Sequence, residues 1–165
     1  MSERVVGIAE FMVTMSPDDV IVTYGLGSCV AVVLHDPRRR TGGMLHLMLP
    51  SIEAVGESGA KQPARFADSG IPILFNQMYR LGSRKEDLTV WLVGGASVGP
   101  PGVNLMAIGE RNLEATRQIL GRAGVRVRAE DVGGTISRTV RLHVGEGRVQ
   151  VTSCGVARNL ERRSA

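Results

Sequence analysis

A cysteine and a histidine in the N-terminal part of the chain are placed where they could act together. Cys29 follows a glycine-rich bend at residues 23–28, Thr-Tyr-Gly-Leu-Gly-Ser, and His46 lies near the end of the next apolar segment. Two strands joined by a short turn bring the chain back to its starting level, so this spacing lets the thiol and the imidazole meet side by side. A thiol within reach of a base is the minimum for nucleophilic catalysis by cysteine.

The residues that precede the cysteine can support this chemistry. Gly25 and Gly27 permit backbone conformations with positive φ, so amide N–H groups of the bend can point outward. Thr23 ends an apolar run and carries a hydroxyl that could orient the imidazole. Residue types alone leave an alternative open, because most single cysteines are small buried apolar side chains and most single histidines on strands belong to a core.

The elements predicted around these residues form a strand hairpin. Residues 20–24 form a strand that leads into the bend. Residues 29–35 are apolar on both faces, which is typical of a central strand packed on two sides. Turn residues at 36–42 then lead into a further strand at 43–49, which carries the histidine.

The other histidines and the second cysteine are predicted to have structural or surface roles. His35 lies on the same extended strand as Cys29, about 20 Å away at roughly 3.3 Å per residue, so it cannot be the base of that thiol. His143 is expected at a surface position of a later strand. We expect Cys154, at the end of an apolar strand, to be buried, and Cys29 to react faster because a neighbouring imidazolium favours its thiolate.

The rest of the chain predicts mainly strands, with two helices. Further strands are expected at residues 5–13, 88–93, 125–129, 139–144 and 148–153. One helix is expected to begin at a cap on Asp68 or Ser69 and to end at Gly82, and a second spans residues 109–123. The pattern indicates an α+β fold, a layered α/β sandwich with a mixed or largely antiparallel sheet and flanking helices, in one domain of residues 1–165.

Two connections bear on the site. Residues 51–64 are polar and aperiodic, and they follow the histidine strand directly. They are predicted to overhang the site, either as a plain flexible connection or as a substrate lid. Gly94 and Gly95 end a strand but lack the Lys-Ser/Thr of a phosphate loop, so we expect them to allow close packing near the cysteine bend.

Composition excludes several classes of function. Hydrophobic residues make up 43% of the chain and charged residues 22%, which is ordinary for a soluble protein. The net charge is +4, but the basic residues are scattered without aromatic platforms, so nucleic-acid binding is not expected. No signal peptide or bilayer-spanning run is visible, which favours a cytoplasmic protein with reduced cysteines. One cysteine and one histidine make a poor zinc set, so no metal or other cofactor is expected.

Several segments of the chain resemble one protein family. The runs at 23–29 and at 42–50 (Gly-Gly-Met-Leu-His-Leu-Met-Leu-Pro) resemble the chemoreceptor glutamine deamidases called CheD. The resemblance continues, in the family's order, at residues 65–72, 93–96, 108–112 and 130–134. It implies an α/β sandwich in which Cys29, His46 and Thr23 form the catalytic set.

The resemblance also implies a function and partners. Specific glutamines of bacterial chemoreceptors would be hydrolysed to glutamate through a cysteine thioester. The backbone amides of the glycine bend, at Gly25, Gly27, Ser28 and Cys29, would hold the oxyanion. The CheC phosphatase would compete with receptors for the site. Two alternatives remain: another cysteine acyl-transfer enzyme, such as an amidase, peptidase or receptor methylesterase, or a CheC-binding regulatory module in which catalysis is secondary.

Overall fold

The computed structural model describes residues 1–54, 61–98 and 106–161. In these ranges the strands are β1 (Ser2–Val5), β2 (Phe11–Thr14), β3 (Asp19–Leu26), β4 (Val30–Asp36), β5 (Thr41–Leu47), β6 (Thr89–Gly94), β7 (Ala129–Val132), β8 (Arg138–His143), β9 (Arg148–Ser153) and β10 (Val156–Asn159). The α-helices are α1 (Ala67–Arg80) and α2 (Met106–Arg122), and short 3₁₀ helices occur at Ile52–Ala54, Pro63–Arg65 and Lys85–Asp87.

The strands form two mixed sheets that pack face to face. Sheet I has the order β1-β3-β8-β9-β10, and sheet II has the order β2-β5-β4-β6-β7. The pairs β1–β3 and β6–β7 are parallel, and the other neighbours are antiparallel. Helices α1 and α2 cover the second face of sheet II. The predicted α+β sandwich of mixed sheet with flanking helices is therefore confirmed.

Strand β4 lies at the centre of sheet II and is buried along its whole length. Its alternate residues divide between two cores. Val30, Val32 and Leu34 pack in the core under the helices, whereas Ala31 and Val33 pack in the core between the sheets. The continuous apolar run in the sequence arises because both faces of this strand are covered.

The N-terminal strand prediction was wrong. Residues 5–13 do not form one strand: the chain leaves sheet I at Val5 and enters sheet II at Phe11. Between them it turns, with Ala9 at φ 62°. Residues 6–10, which we call the crossover segment, therefore join the two sheets. An apolar run gives no signal that it changes sheets halfway.

Other boundaries also differ from the prediction. The strand expected at 125–129 begins only at Ala129, because Val125 and Val127 pack against the core under the helices instead of pairing. Strand β10 was not predicted. Cys154 lies in the turn before it, at φ 50°, and is exposed, so its expected burial was wrong. The hairpin turn between β9 and β10 contains Cys154, so the cysteine lies outside the ladder that pairs Ser153 with Val156.

Helix α1 begins without the expected side-chain cap. Asp68 and Ser69 both lie inside its first turn. The Ser69 hydroxyl donates to the carbonyl of Pro63 at 2.6 Å, and the Asp68 carboxylate accepts from the amide of Ile52 at 3.3 Å. Both side chains therefore hold the described ends of the connection between β5 and α1, at Ile52 and Pro63. Residues 55–60 of that connection lie outside the described part of the chain, so the lid prediction stays a prediction. No helix within the described ranges has the length and apolar character needed to cross a bilayer.

Candidate active site

The hairpin of β4 and β5 places Cys29 and His46 on the same face of sheet II. Ala31 is the register partner of His46. Cys29 lies two residues before Ala31 and packs against the core between the sheets, so it shares the face of Ala31. Diagonal neighbours on an antiparallel ladder have Cα atoms about 7–8 Å apart. The structure thus places the two residues on one face of the sheet, as the spacing suggested, and no hydrogen bond joins Nε2 of His46 to the Cys29 sulfur.

Thr23 determines which nitrogen of His46 is free. Its Oγ1 lies 2.7 Å from Nδ1 of His46 and 2.6 Å from the carbonyl oxygen of Val6. A hydroxyl has one hydrogen, and a carbonyl can only accept, so the hydroxyl donates to Val6 and accepts from Nδ1–H. The imidazole is therefore the Nδ1–H tautomer. Its Nε2 has no hydrogen-bond partner among the described residues and is left as the base.

The crossover segment holds the histidine strand against the threonine strand. At one end, the amide of Val6 donates to Val22 in sheet I at 2.8 Å. At the other end, the amide of Ala9 donates to the carbonyl of His46 at 2.9 Å, and the amide of His46 donates to Glu10 at 3.0 Å. The backbone on both sides of His46 is thus tied to the segment whose carbonyl orients Thr23. The sequence reading missed this part because it assigned the segment to a strand.

Burial keeps both proposed catalytic groups uncharged at rest. His46 is fully buried, and this burial lowers the pKa of its imidazole to about 4. Burial also raises the pKa of the Cys29 thiol, against the opposing effect of its own backbone amide. At neutral pH the pair is a thiol and a neutral imidazole. Both shifts run against the expected thiolate beside an imidazolium, and the reactivity of Cys29 stays a prediction.

The two glycines of the bend, Gly25 and Gly27, have different surroundings. Gly25 has φ 65° and lies beside open space, at an irregularity between β3 and β8. Gly27 is covered by the side chain of Val98, where a Cβ would clash. Within the described residues, the amides of Gly27, Ser28 and Cys29 donate no hydrogen bond to another residue's backbone. These three amides are candidate donors for an oxyanion, and Gly25 of the same bend lies within β3.

Gly94 and Gly95 contact the backbone carbonyl of Cys29. The amide of Gly95 donates to the carbonyl of Cys29 at 2.8 Å, and the amide of Ala96 donates to the carbonyl of Gly27 at 2.8 Å. Gly94 has φ 113°, and a Cβ there would clash with the carbonyl oxygen of Cys29. The prediction that this pair allows close packing near the cysteine bend is confirmed.

The remaining histidines have other environments. His35 is buried at the far end of β4, where its Nε2 lies 2.8 Å from the carbonyl oxygen of Val144. This contact links the two sheets, which confirms a structural role. His143 is partly exposed on β8. In the ranges that the structure covers, no group of three His, Cys, Asp or Glu side chains is arranged to hold a metal ion.

These features define a class of candidate: an α+β sandwich with a thiol, a neutral imidazole and an orienting hydroxyl at one end of the inter-sheet core. Comparison with known proteins then identifies the family. The family model described as "CheD chemotactic sensory transduction" matches residues 48–153, and relatives match most of the chain. The chain belongs to the CheD family. Thr23, Cys29 and His46 precede the residues that the family description matches.

Three curated relatives illustrate the similarity. The chain is 50% identical to "Probable chemoreceptor glutamine deamidase CheD 2" of Anaeromyxobacter dehalogenans, over 93% of this chain and 96% of that one. It is 39% identical to a protein similarly named CheD 1 of Syntrophus aciditrophicus, over 94% and 96%. It is 41% identical to a CheD of Solibacter usitatus, over 97% and 94%. Among solved structures, the hypothetical protein YfiH of Bacillus licheniformis aligns with a TM-score of 0.41 and 19% identity, over 76% of this chain and 49% of that one.

Proposed function

We propose that this chain hydrolyses glutamine side chains of chemoreceptors to glutamate, through a thioester on Cys29. The observation that carries the proposal is the Thr23–His46 hydrogen bond, which leaves Nε2 of His46 free on the face where Cys29 lies. Membership of the CheD family and the names of its relatives, chemoreceptor glutamine deamidases, support the choice of substrate.

The first half of the reaction forms the thioester. Because the resting pair is uncharged, Nε2 of His46 takes the Cys29 proton as the sulfur attacks the amide carbon. Negative charge then develops on the amide oxygen, and the amides of the glycine bend (Gly25, Gly27, Ser28 and Cys29) are proposed to stabilise it. The imidazolium donates its proton to the amide nitrogen, and ammonia leaves.

The second half releases the acid. Neutral His46 takes a proton from water, which attacks the thioester carbon. The tetrahedral intermediate collapses, the thiolate leaves and is protonated by the imidazolium, and glutamate is produced. Throughout the cycle Thr23 accepts the hydrogen bond from Nδ1–H, which stabilises the imidazolium whenever it forms. This role is that of the orienting third residue of a triad.

The family resemblance supports two proposed partners. A chemoreceptor is the proposed substrate, and the CheC phosphatase is a second proposed partner that competes for the same site. We also propose a cytoplasmic location. Both cysteines are free, which is the usual state in a reducing compartment.

The test is product analysis on a purified receptor fragment. The parent protein should release ammonia and convert glutamine to glutamate without cleaving the chain, whereas Cys29→Ala should do neither. Release of methanol or of peptide fragments instead would identify one of the other cysteine acyl-transfer reactions. Binding of CheC without any amide hydrolysis would favour the regulatory module.

A further inference from the structure

Asn112 links the two pieces of backbone that carry the proposed catalytic pair. It lies on α2 and is fully buried. Its Nδ2 donates to the carbonyl of Ser28 at 2.9 Å and to the carbonyl of Met48 at 2.8 Å. Ser28 directly precedes Cys29, and Met48 is two residues beyond His46. One side-chain amide therefore bridges the nucleophile bend and the histidine strand.

The bridge lies where the strand ladder ends. Val30 and Leu47 are the last register pair of β4 and β5 on this side, so Cys29 and Met48 lie just beyond it. The amide of Met48 turns away and donates to the carbonyl of Arg65 at 2.8 Å. Without the bridge, the carbonyls of Ser28 and Met48, two half-buried residues, would each lose this donor. A primary amide supplies the two N–H groups that this gap requires.

The same side chain leaves its own oxygen unpaired. Oδ1 of Asn112 is buried and has no hydrogen-bond partner among the described residues. Its orientation is not ambiguous, since both acceptors are carbonyl oxygens and only the nitrogen can donate to them. A buried amide with an unpaired oxygen is a poor choice for stability alone. Its two donor bonds beside the catalytic pair suggest a different reason for its presence.

We propose that Asn112 is a positioning residue that sets the separation of Cys29 and His46. It holds the Cys29 bend to the end of the histidine strand at the point where cross-strand hydrogen bonds stop. This inference rests on the proposed function for its activity readout. Misplacement of reacting groups by about 1 Å can reduce turnover about 100-fold. Loss of the bridge is therefore expected to lower kcat while the KM for a receptor fragment stays the same.

The test compares Asn112→Leu with Asn112→Gln and with a matched control. Leucine has nearly the shape of asparagine but no donor, and we expect a 10- to 100-fold lower kcat, on the order of the positioning effect above. Glutamine keeps the donor group on a longer stem, and it should restore part of the rate. The control is Thr116→Val, one helical turn further on α2, which removes a buried hydroxyl that has no partner in the described structure. It should keep the parent kcat.

A second readout does not depend on the substrate. In a Cys154→Ser background, the pH dependence of Cys29 alkylation reports its coupling to His46. If Asn112 sets their separation, the Asn112→Leu profile should approach that of His46→Ala. Where Asn112→Leu yields no folded protein, Asn112→Ala serves, since it removes both N–H donors without placing a carboxyl group against the two carbonyls. A parent-like kcat and alkylation profile in the folded variant would overturn the proposal. A shifted profile in a protein that hydrolyses no glutamine would uphold it and reject the proposed function.

Discussion

The hydroxyl oxygen of Thr23 lies 2.7 Å from Nδ1 of His46, and its hydrogen is donated to the carbonyl oxygen of Val6 at 2.6 Å. Because that hydrogen is already used, the imidazole must carry its own proton on Nδ1. The free Nε2 then lies on the face that Cys29 shares. A single buried contact thus fixes the tautomer of His46 and leaves Nε2 as the nitrogen that can accept a proton.

Replacing either member of the proposed pair should abolish activity. We expect Cys29→Ala and His46→Ala each to lose several orders of magnitude in kcat, since a nucleophile and its base act as a unit. Deamidation of a receptor fragment, followed by mass spectrometry, measures this. Circular dichroism should show that both variants are folded. Full activity in Cys29→Ala would refute the assignment.

Replacing the hydroxyl of Thr23 should lower both turnover and stability. In Thr23→Val the carbonyl of Val6 and Nδ1–H of His46 lose their partner inside the core, which costs about 1–3 kcal/mol for each buried group left unpaired. The kcat should fall less than in His46→Ala, because the base itself remains. Thr23→Ser retains the hydroxyl and is the control. A lower melting temperature with unchanged kcat would assign Thr23 a purely structural role.

Stability should fall in acid because of His46. Burial lowers the pKa of its imidazole from 6.5 to about 4, so the folded protein resists protonation that the unfolded chain accepts. Its contribution is complete above pH 6.5 and is lost as the pH falls toward 4, by up to about 3 kcal/mol. Urea titrations at several pH values should show a weaker acid dependence in His46→Gln. Identical dependence in both proteins would mean that His46 titrates normally.

The two cysteines should differ in reactivity, in the order opposite to the sequence expectation. Cys154 is exposed, whereas Cys29 is half-buried and burial raises the pKa of its thiol. Brief treatment with iodoacetamide at neutral pH should therefore label Cys154 first, because the thiolate is the reacting form. Peptide mapping identifies the labelled site. Faster labelling of Cys29 would show that its coupling to His46 outweighs the greater exposure of Cys154.

An alanine at position 94 should displace the nucleophile. Its Cβ would clash with the carbonyl oxygen of Cys29, and the residue would also keep an unfavourable φ of 113°. Gly155→Ala is the control, since Gly155 has φ 73° with no atom within 4 Å of an added Cβ. The control should cost about 1–2 kcal/mol from backbone strain alone. Gly94→Ala should cost more and also lower kcat. Equal losses of stability with unchanged kcat would show that Gly94 does not position Cys29.

The local sequence pattern was sufficient to predict the central hairpin of sheet II. The run at 29–35 is apolar on both faces, and the turn at 36–42 returns the chain beside it, so the hairpin of β4 and β5 could be predicted. Cys29 and His46 are close in sequence, and their meeting depends only on that hairpin. The family resemblance rested in part on motifs in and beside the same hairpin, at residues 23–29 and 42–50.

Only the tertiary structure decided how these residues are held and charged. The Thr23–Val6 hydrogen bond joins residues 17 apart, and the Asn112–Ser28 bond joins residues 84 apart. No periodicity encodes such contacts, and the crossover segment itself reads as a strand. The low pKa of His46 follows from burial between two sheets that pair distant parts of the chain. Residue types and their local spacing thus determined which groups could react, whereas their tautomer, protonation and separation depend on contacts between segments remote in sequence.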